Sequence, residues 1–153
     1  MEISVANIAD AETILALQKL AYQSEAEIYQ NHKIPPLQQT IKEIIKEFGV
    51  QTFFKAIDKK CRITGSVRAY LDDKSCFIGR LIVHPEWQGK GVGTQLMNSI
   101  EFYFSQAQRY ELFTGTKSMK NIQFYKKLGY KPFKEQVINK SFSLLYLEKN
   151  SQA

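Results

Sequence analysis

One glycine-rich stretch holds the residues whose types and spacing most plainly suggest chemistry: Leu81-Ile82-Val83-His84-Pro85-Glu86-Trp87-Gln88-Gly89-Lys90-Gly91-Val92-Gly93-Thr94-Gln95-Leu96. An apolar strand pattern stops at Pro85, a turn with glycine at alternate positions follows, and helical periodicity begins. The first backbone N–H groups of a helix have no partner within it, and the helix dipole adds partial positive charge, so such a junction binds anions. Gly89, Gly91 and Gly93 lack a Cβ, which lets a phosphate touch the backbone, and Lys90 adds a full positive charge. Gly-x-x-x-x-Gly-Lys-Ser/Thr is absent, and Leu96 stands where Gly-x-Gly-x-x-Gly needs its third glycine, so neither common nucleotide loop is present. Taken alone, the run also reads as a tight turn.

A second segment, Asn121-Ile122-Gln123-Phe124-Tyr125-Lys126-Lys127-Leu128-Gly129-Tyr130, sets an amide and a phenol four residues apart on one helix face. On periodicity alone Tyr125 reads as a core aromatic beside Phe124. The two segments together resemble a known family. Gln88-x-x-Gly91-x-Gly93 is similar to the Gln/Arg-x-x-Gly-x-Gly/Ala signature of the GNAT superfamily of N-acetyltransferases. The Leu-x-Val-His-Pro-Glu-Trp run before it is typical of that family too. The second segment resembles the family's helix ending in Phe-Tyr-x-x-Leu-Gly-Phe/Tyr. The motifs span residues 78–133, and the order of elements around them carries the resemblance over nearly the whole chain.

The resemblance implies an N-acetyltransferase that moves an acetyl group from acetyl-CoA to a primary amine of a small molecule or peptide, by direct attack in a ternary complex. Acetyl-CoA would lie in a V-shaped split between two parallel strands, here residues 78–83 and 111–114. Backbone groups of Ile82 and Val83 would bond the pantetheine arm as an added strand would. Backbone N–H groups of Gln88, Gly89, Lys90, Gly91, Val92, Gly93 and Thr94 would hold the pyrophosphate, and Asn121 would reach the pantetheine. Tyr125 would be catalytic, its phenol donating a proton to the departing CoA thiolate. A lysine-like amine has a pKa of about 10.4, so something must take its proton. Some relatives place a glutamate or histidine on the strand before the loop. Here Cys76-Phe77-Ile78-Gly79-Arg80 offers no carboxylate, which leaves His84, Glu25 or a chain of water. Tyr22, Glu25, Glu27, Tyr29 and His32 would line a mildly acidic acceptor pocket suited to a cationic amine, with Tyr22 and Glu25 as substrate-binding candidates and Ile34-Pro35-Pro36 as a stiff extended wall. Many relatives dimerise, often through C-terminal strands. A reading from another class is a CoA-binding sensor or partner-binding module without turnover.

The elements that must position these residues follow from periodicity. Residues 2–5 read as a strand. Asp10 is an N-cap candidate before a helix running to about residue 25. The prolines break the chain, and Leu37, Ile41, Ile44, Ile45 and Phe48 mark a second helix closed by Gly49 at C′. Strand patterns cover 52–57, 62–71 and 76–83, the last two forming a hairpin with a bulge at Gly79. A helix from Gly91, a strand at 111–114, a helix capped by Ser118, and strands at 130–137 and 141–147 complete the order. This is an α/β, mixed α+β class: a mixed, mostly antiparallel sheet with helices on both faces. The resemblance adds a splayed parallel pair at its centre.

Composition bounds the rest. The 153 residues make one domain, read as 1–153, and the net charge of +6 favours anionic partners. The basic residues are scattered, without an arm or basic helix for nucleic acid. No apolar run is long enough to span a bilayer and no secretory pattern opens the chain, so a cytoplasmic protein without membrane attachment is expected. Cys61 and Cys76 fall in strand-like stretches and read as buried thiols, and His32 and His84 lack metal-ligand spacing, so no metal is expected.

Overall fold

The computed structural model describes residues 1–151. Its strands are β1 (Glu2–Val5), β2 (Thr52–Ile57), β3 (Ile63–Asp72), β4 (Ser75–Val83), β5 (Arg109–Gly115), β6 (Lys131–Asn139) and β7 (Phe142–Asn150). They form one sheet in the order β1-β2-β3-β4-β5-β7-β6. Only β4 and β5 run parallel; the other neighbours are antiparallel. The helices are α1 (Ala11–Ala21), α2 (Gln23–Tyr29), α3 (Pro35–Gln38), α4 (Ile41–Phe48), α5 (Val92–Tyr103) and α6 (Met119–Lys127). The mixed sheet and the parallel pair are those expected.

Strand alternation assigns each face its helices. Phe54 and Ala56 of β2, with Val67 and Ala69 of β3, meet Leu96, Met97 and Ile100 of α5. Phe53 turns the other way and joins Ile14, Leu15 and Ile44 beneath α1 and α4. Its ring stacks on Phe48 at 3.8 Å. Each large apolar side chain so buried contributes roughly 1.5–3 kcal/mol.

One charge sits inside this second layer. Arg68 of β3 is 1% exposed. Its guanidinium donates to Glu47 Oε1 of α4 at 3.0 Å and to Gln18 Oε1 of α1 at 2.5 Å, and its Cζ lies 4.4 Å from the centre of the Phe53 ring. Gln18 Nε2 in turn donates to the Pro36 carbonyl and to Gln39 Oε1, both at 2.9 Å. One buried side chain thus ties α1, α3 and α4 to the sheet. Burial and the neighbouring Arg80 lower its pKa, and Glu47 opposes them.

Several local expectations are corrected. Asp10 stands at the N-cap of α1 as expected, but its carboxylate does not cap it: Asn7 caps the preceding 3-10 turn, with Asp10 answering it in a capping box and pairing with Lys55 at 2.9 Å. The first helix breaks at Tyr22 into α1 and α2. Pro35 and Pro36 open the one-turn helix α3 instead of an extended wall, because proline suits the first helical positions. The second helix starts only after Thr40, whose capping box with Glu43 fixes its entry, and Gly49 ends it in right-handed rather than left-handed conformation. Ser118 stands at the N-cap of α6 but its hydroxyl does not cap it. Cys61 is exposed in a turn, at φ 62°, while Cys76 is buried and its thiol is pushed up to about 12, by burial first and by Glu101 second.

Replacing Arg68 with alanine strands Glu47, Gln18 and Gln39 around a void. We expect a loss of roughly 3–5 kcal/mol and a fall in Tm on the order of 10 °C. Chemical unfolding checks this; a loss under about 1 kcal/mol, the scale of a surface ion pair, would show that the network matters little.

Candidate active site

The site begins where two strands part. β4 and β5 pair only at Ser75–Arg109, Cys76–Tyr110 and Phe77–Glu111. Beyond Phe77 they separate, and β5 continues on β7 while β4 stays on β3. The parting leaves one edge of β4 open along residues 78–83. His84 N–H donates to the Thr64 carbonyl at 2.7 Å. By the alternation of an antiparallel ladder, Ile82 then turns its backbone groups to Ser66, and Val83 turns its own to the split. Gln88 Nε2 meets the Val83 carbonyl at 3.2 Å, so this side chain stitches the end of β4 to the loop.

The loop itself is open. Gly89 and Gly91 hold φ of 75° and 85°, a left-handed conformation that glycine adopts without strain, and a Cβ added at either would meet nothing within 4 Å. No side chain caps α5 at Gly91, and its first turn holds no acidic residue. The amides of Val92, Gly93 and Thr94 thus have no intrahelical partner. Lys90 Nζ stands 5.1 Å from the centre of the Trp87 ring, while Val92 buries its side chain beneath the loop. Gly93 is the tight position, where a Cβ would lie 3.2 Å from Phe124 of α6. The loop is therefore a cradle of outward N–H groups beside one cation, which fits a pyrophosphate. His84 is turned to local use: its Nδ1 accepts from Glu86 N–H at 3.1 Å.

Across the split stands α6. Its Tyr125 is half-buried, 5.3 Å from Phe124 and 6.0 Å from Tyr130 between ring centres. The Tyr125 hydroxyl makes no hydrogen bond among the described residues. Other interior tyrosines are engaged: Tyr110 donates to Glu101 and Phe104 carbonyls, and Tyr130 donates to Glu101 Oε2 at 2.8 Å. Burial, then Tyr22, then Glu25 raise the pKa of Tyr125. The phenol therefore keeps its proton through the ordinary range.

The first helices reach this place from the far end of the sequence. Lys117 N–H donates to Tyr29 Oη at 3.0 Å, Tyr29 pairs with Ser118 Oγ at 2.8 Å, and Ser118 donates to Glu25 Oε1 at 2.5 Å. Asn121 Nδ2 lies 3.5 Å from Glu25 Oε1 and 3.4 Å from Thr114 Oγ1, both long contacts. Tyr29 also packs edge-on against Phe142 of β7 at 4.9 Å. Any Cβ at Gly115 would collide with the Tyr29 hydroxyl. Glycine is required there for α2 to close on β5.

The structure thus brings Tyr22, Glu25, Asn121 and Tyr125 together, whereas Glu27 and His32 are exposed. Two participants are not legible in local pattern. Ser118 has the type and position of an N-cap, and its hydroxyl donates to Glu25, 93 residues away. Arg80 lies on β4, in the stretch that offers no carboxylate. Burial raises the pKa of Tyr22, and the Arg80 and Arg68 guanidinium groups oppose that rise. Clustered titratable groups were the only available signal, and sequence spacing does not display them.

With this geometry, the comparisons converge. The chain belongs to the GNAT acetyltransferase family: residues 50–132 match the family model for an acetyltransferase (GNAT) domain. It is 28% identical over 120 residues to UPF0157 protein YqkA of Bacillus subtilis (strain 168), a match covering 78% of this chain and 34% of that protein. The chain therefore spans about a third of the length of the curated relative it matches. A solved structure from Streptococcus mutans UA159 superposes at TM-score 0.84 with 19% identity, covering 99% of this chain and 100% of that one. An acetyltransferase of the GNAT family from Streptococcus pneumoniae gives 0.74 at 14%, over 97% and 98%. An aminoglycoside 6′-N-acetyltransferase complexed with coenzyme A gives 0.78 at 16%, over 100% and 98%. At these identities the likeness is one of fold.

Gly115→Ala should release α2 from β5. We expect a destabilisation of roughly 1–3 kcal/mol and faster amide exchange in α2. In a Tyr29→Ala background the same substitution should cost under about 0.5 kcal/mol, since nothing remains to collide with. Equal costs in both backgrounds would refute the contact.

Proposed function

We propose that this chain is an acetyl-CoA-dependent N-acetyltransferase acting on a primary amine, with residues 1–153 as its single catalytic domain. The observation that carries the proposal is the Tyr125 hydroxyl, which has no hydrogen-bond partner among the described residues, feels the charge of Glu25, and sits on the helix whose Phe124 packs against Gly93 at the uncapped start of α5. CoA is the acyl-donor substrate. Its pyrophosphate would rest on the amides of residues 88–94, its pantetheine would bond Val83 along the open edge of β4, and Asn121 would turn from its long contacts to meet it.

In the transfer, the neutral amine nitrogen bonds to the acetyl carbon and the C–S bond breaks. The thiolate takes the Tyr125 proton, and the proton shed by the amine goes to the Glu25 carboxylate. The raised Tyr125 pKa fits this task, because the acid form is kept at every working pH. Two ordinary surface positions also fall into place: exposed Gln88 and Lys90 lie at the mouth, where a charged pyrophosphate is met first. No helix among the described residues is long and apolar enough to cross a membrane.

The first assay is acetyl-CoA-dependent thiol release across polyamines, aminoglycosides, amino acids and peptides. Amine-dependent release is expected; acetyl-CoA binding without release would favour a CoA-binding module. Tyr125→Phe should lower kcat on the order of 100-fold with the KM for acetyl-CoA unchanged. Since its pKa lies above the ordinary tyrosine value of about 10, Tyr125 should impose no alkaline loss of kcat below that pH. A lower alkaline limb that vanishes in the phenylalanine variant would contradict the raised pKa, and an unchanged kcat in that variant would contradict the catalytic role. Gly91→Glu puts a carboxylate where pyrophosphate would sit. It should abolish CoA binding by calorimetry, at a backbone cost of roughly 1–2 kcal/mol that leaves the fold intact. Retained affinity would overturn the cradle.

A further inference from the structure

The β4 strand carries an irregularity inside the split. Arg68 pairs with Gly79 and Ser66 with Ile82, so one residue of β3, Val67, faces two of β4, Arg80 and Leu81. Glycine's freedom predicts this bulge at Gly79, yet the left-handed residue is Arg80, at φ 50°. Glycine next door would take that conformation freely, whereas arginine takes it at a cost of roughly 1 kcal/mol. Bulges re-aim side chains, and strained residues gather at functional sites. Here the side chain is directed to Tyr22, at the junction of α1 and α2, where its charge acts on the hydroxyl.

The charges there are unevenly matched. The buried guanidinium of Arg68 is balanced by Glu47. Half-buried Arg80 forms no ion pair among the described residues, and neither does Glu25, whose partners Ser118 and Asn121 are neutral donors. Both act on the Tyr22 hydroxyl without pairing with each other. Arg80 and Glu25 thus stand by one hydroxyl, that of Tyr22, as a cation and an anion with no ion-pair partner among the described residues.

Accepting the transferase reading above, we propose that the acceptor is a zwitterion, an amine bearing a carboxylate beside it as in an α-amino acid. Arg80 is the residue that selects it, by a charge-assisted hydrogen bond to the carboxylate, while Glu25 meets the ammonium, which gives up one proton to water before the neutral nitrogen attacks. This replaces the cationic acceptor expected from the acidic residues of α2 alone, since an unpaired guanidinium repels a polycation.

The test compares L-amino acids with their carboxamides, which differ only in the carboxylate charge, and with spermidine. Thiol release and calorimetric binding to the CoA-loaded protein are both read, for wild type, Arg80→Gln and Arg80→Lys. Wild type should prefer at least one free amino acid over its amide by 10-fold or more. Arg80→Gln should raise the KM for that acid roughly 10- to 100-fold, the worth of a charge-assisted bond. It should leave the KM for the amide and the affinity for CoA unchanged, and Arg80→Lys should restore part of the preference. Preference for amides or spermidine, an unchanged acid-to-amide ratio in Arg80→Gln, no binding of any amino acid, or a loss of CoA affinity would each overturn the proposal. Arg80-dependent amino-acid binding without thiol release would keep the carboxylate site and sink the transferase reading. Release with amides or spermidine alone would do the reverse.

Discussion

The architecture depends on a parallel strand pair that stays together for only three residue pairs. Had β4 and β5 remained bonded along their length, no polar edge would face inward and no acyl donor could lie between them. Once they part, each strand needs another partner. β3 holds β4 on one side and β7 holds β5 on the other, so both arms of the V are supported from outside. The start of α5 then meets the later half of α6, where Gly93 packs against Phe124. The glycine loop and the Tyr125 phenol are brought near each other by that contact.

The frame of this arrangement was written in local pattern. Glycine at 89, 91 and 93 after an apolar strand, and Asn121 and Tyr125 at helical spacing, identify the cradle, the phenol and the family. Periodicity also located the seven strands, because alternation survives single misplaced residues. Local pattern failed where a side chain had two possible partners. Ser118 has the type and position of an N-cap, yet Glu25 offers its hydroxyl a charge-assisted bond worth more than a cap. Asp10 holds the N-cap position of α1, yet its carboxylate accepts from the Asn7 N–H and pairs with Lys55 on β2 instead of capping the helix. The shift of the bulge from Gly79 to Arg80 has the same origin. The register of β3 against β4 is set by core faces on both sides, and the residue that must absorb the extra unit is decided by that register, not by its own preference.

Two arginines on adjacent strands show how burial divides labour. Arg68 is enclosed by a carboxylate, two amides and an aromatic face, and it binds three helices to the sheet. Arg80 is given no such enclosure. Their like charges act on each other through the interior, and Arg68 feels this as a lowered pKa on top of its burial. Arg68 is neutralised where it stands by Glu47, whereas Arg80 has no ion-pair partner among the described residues. The small excess of basic over acidic residues in the whole chain is therefore less informative than where two of them stand.

The Tyr29–Ser118–Glu25 chain has a consequence for the order of events. Glu25 and Asn121 hold each other by a long contact. Under the proposed roles, an ammonium at Glu25 would take the place of that amide, and a pantetheine carbonyl at Asn121 would take the place of that carboxylate. Each would break the contact that the other must otherwise break. The two substrates would then be thermodynamically linked, each raising the affinity for the other by the same factor.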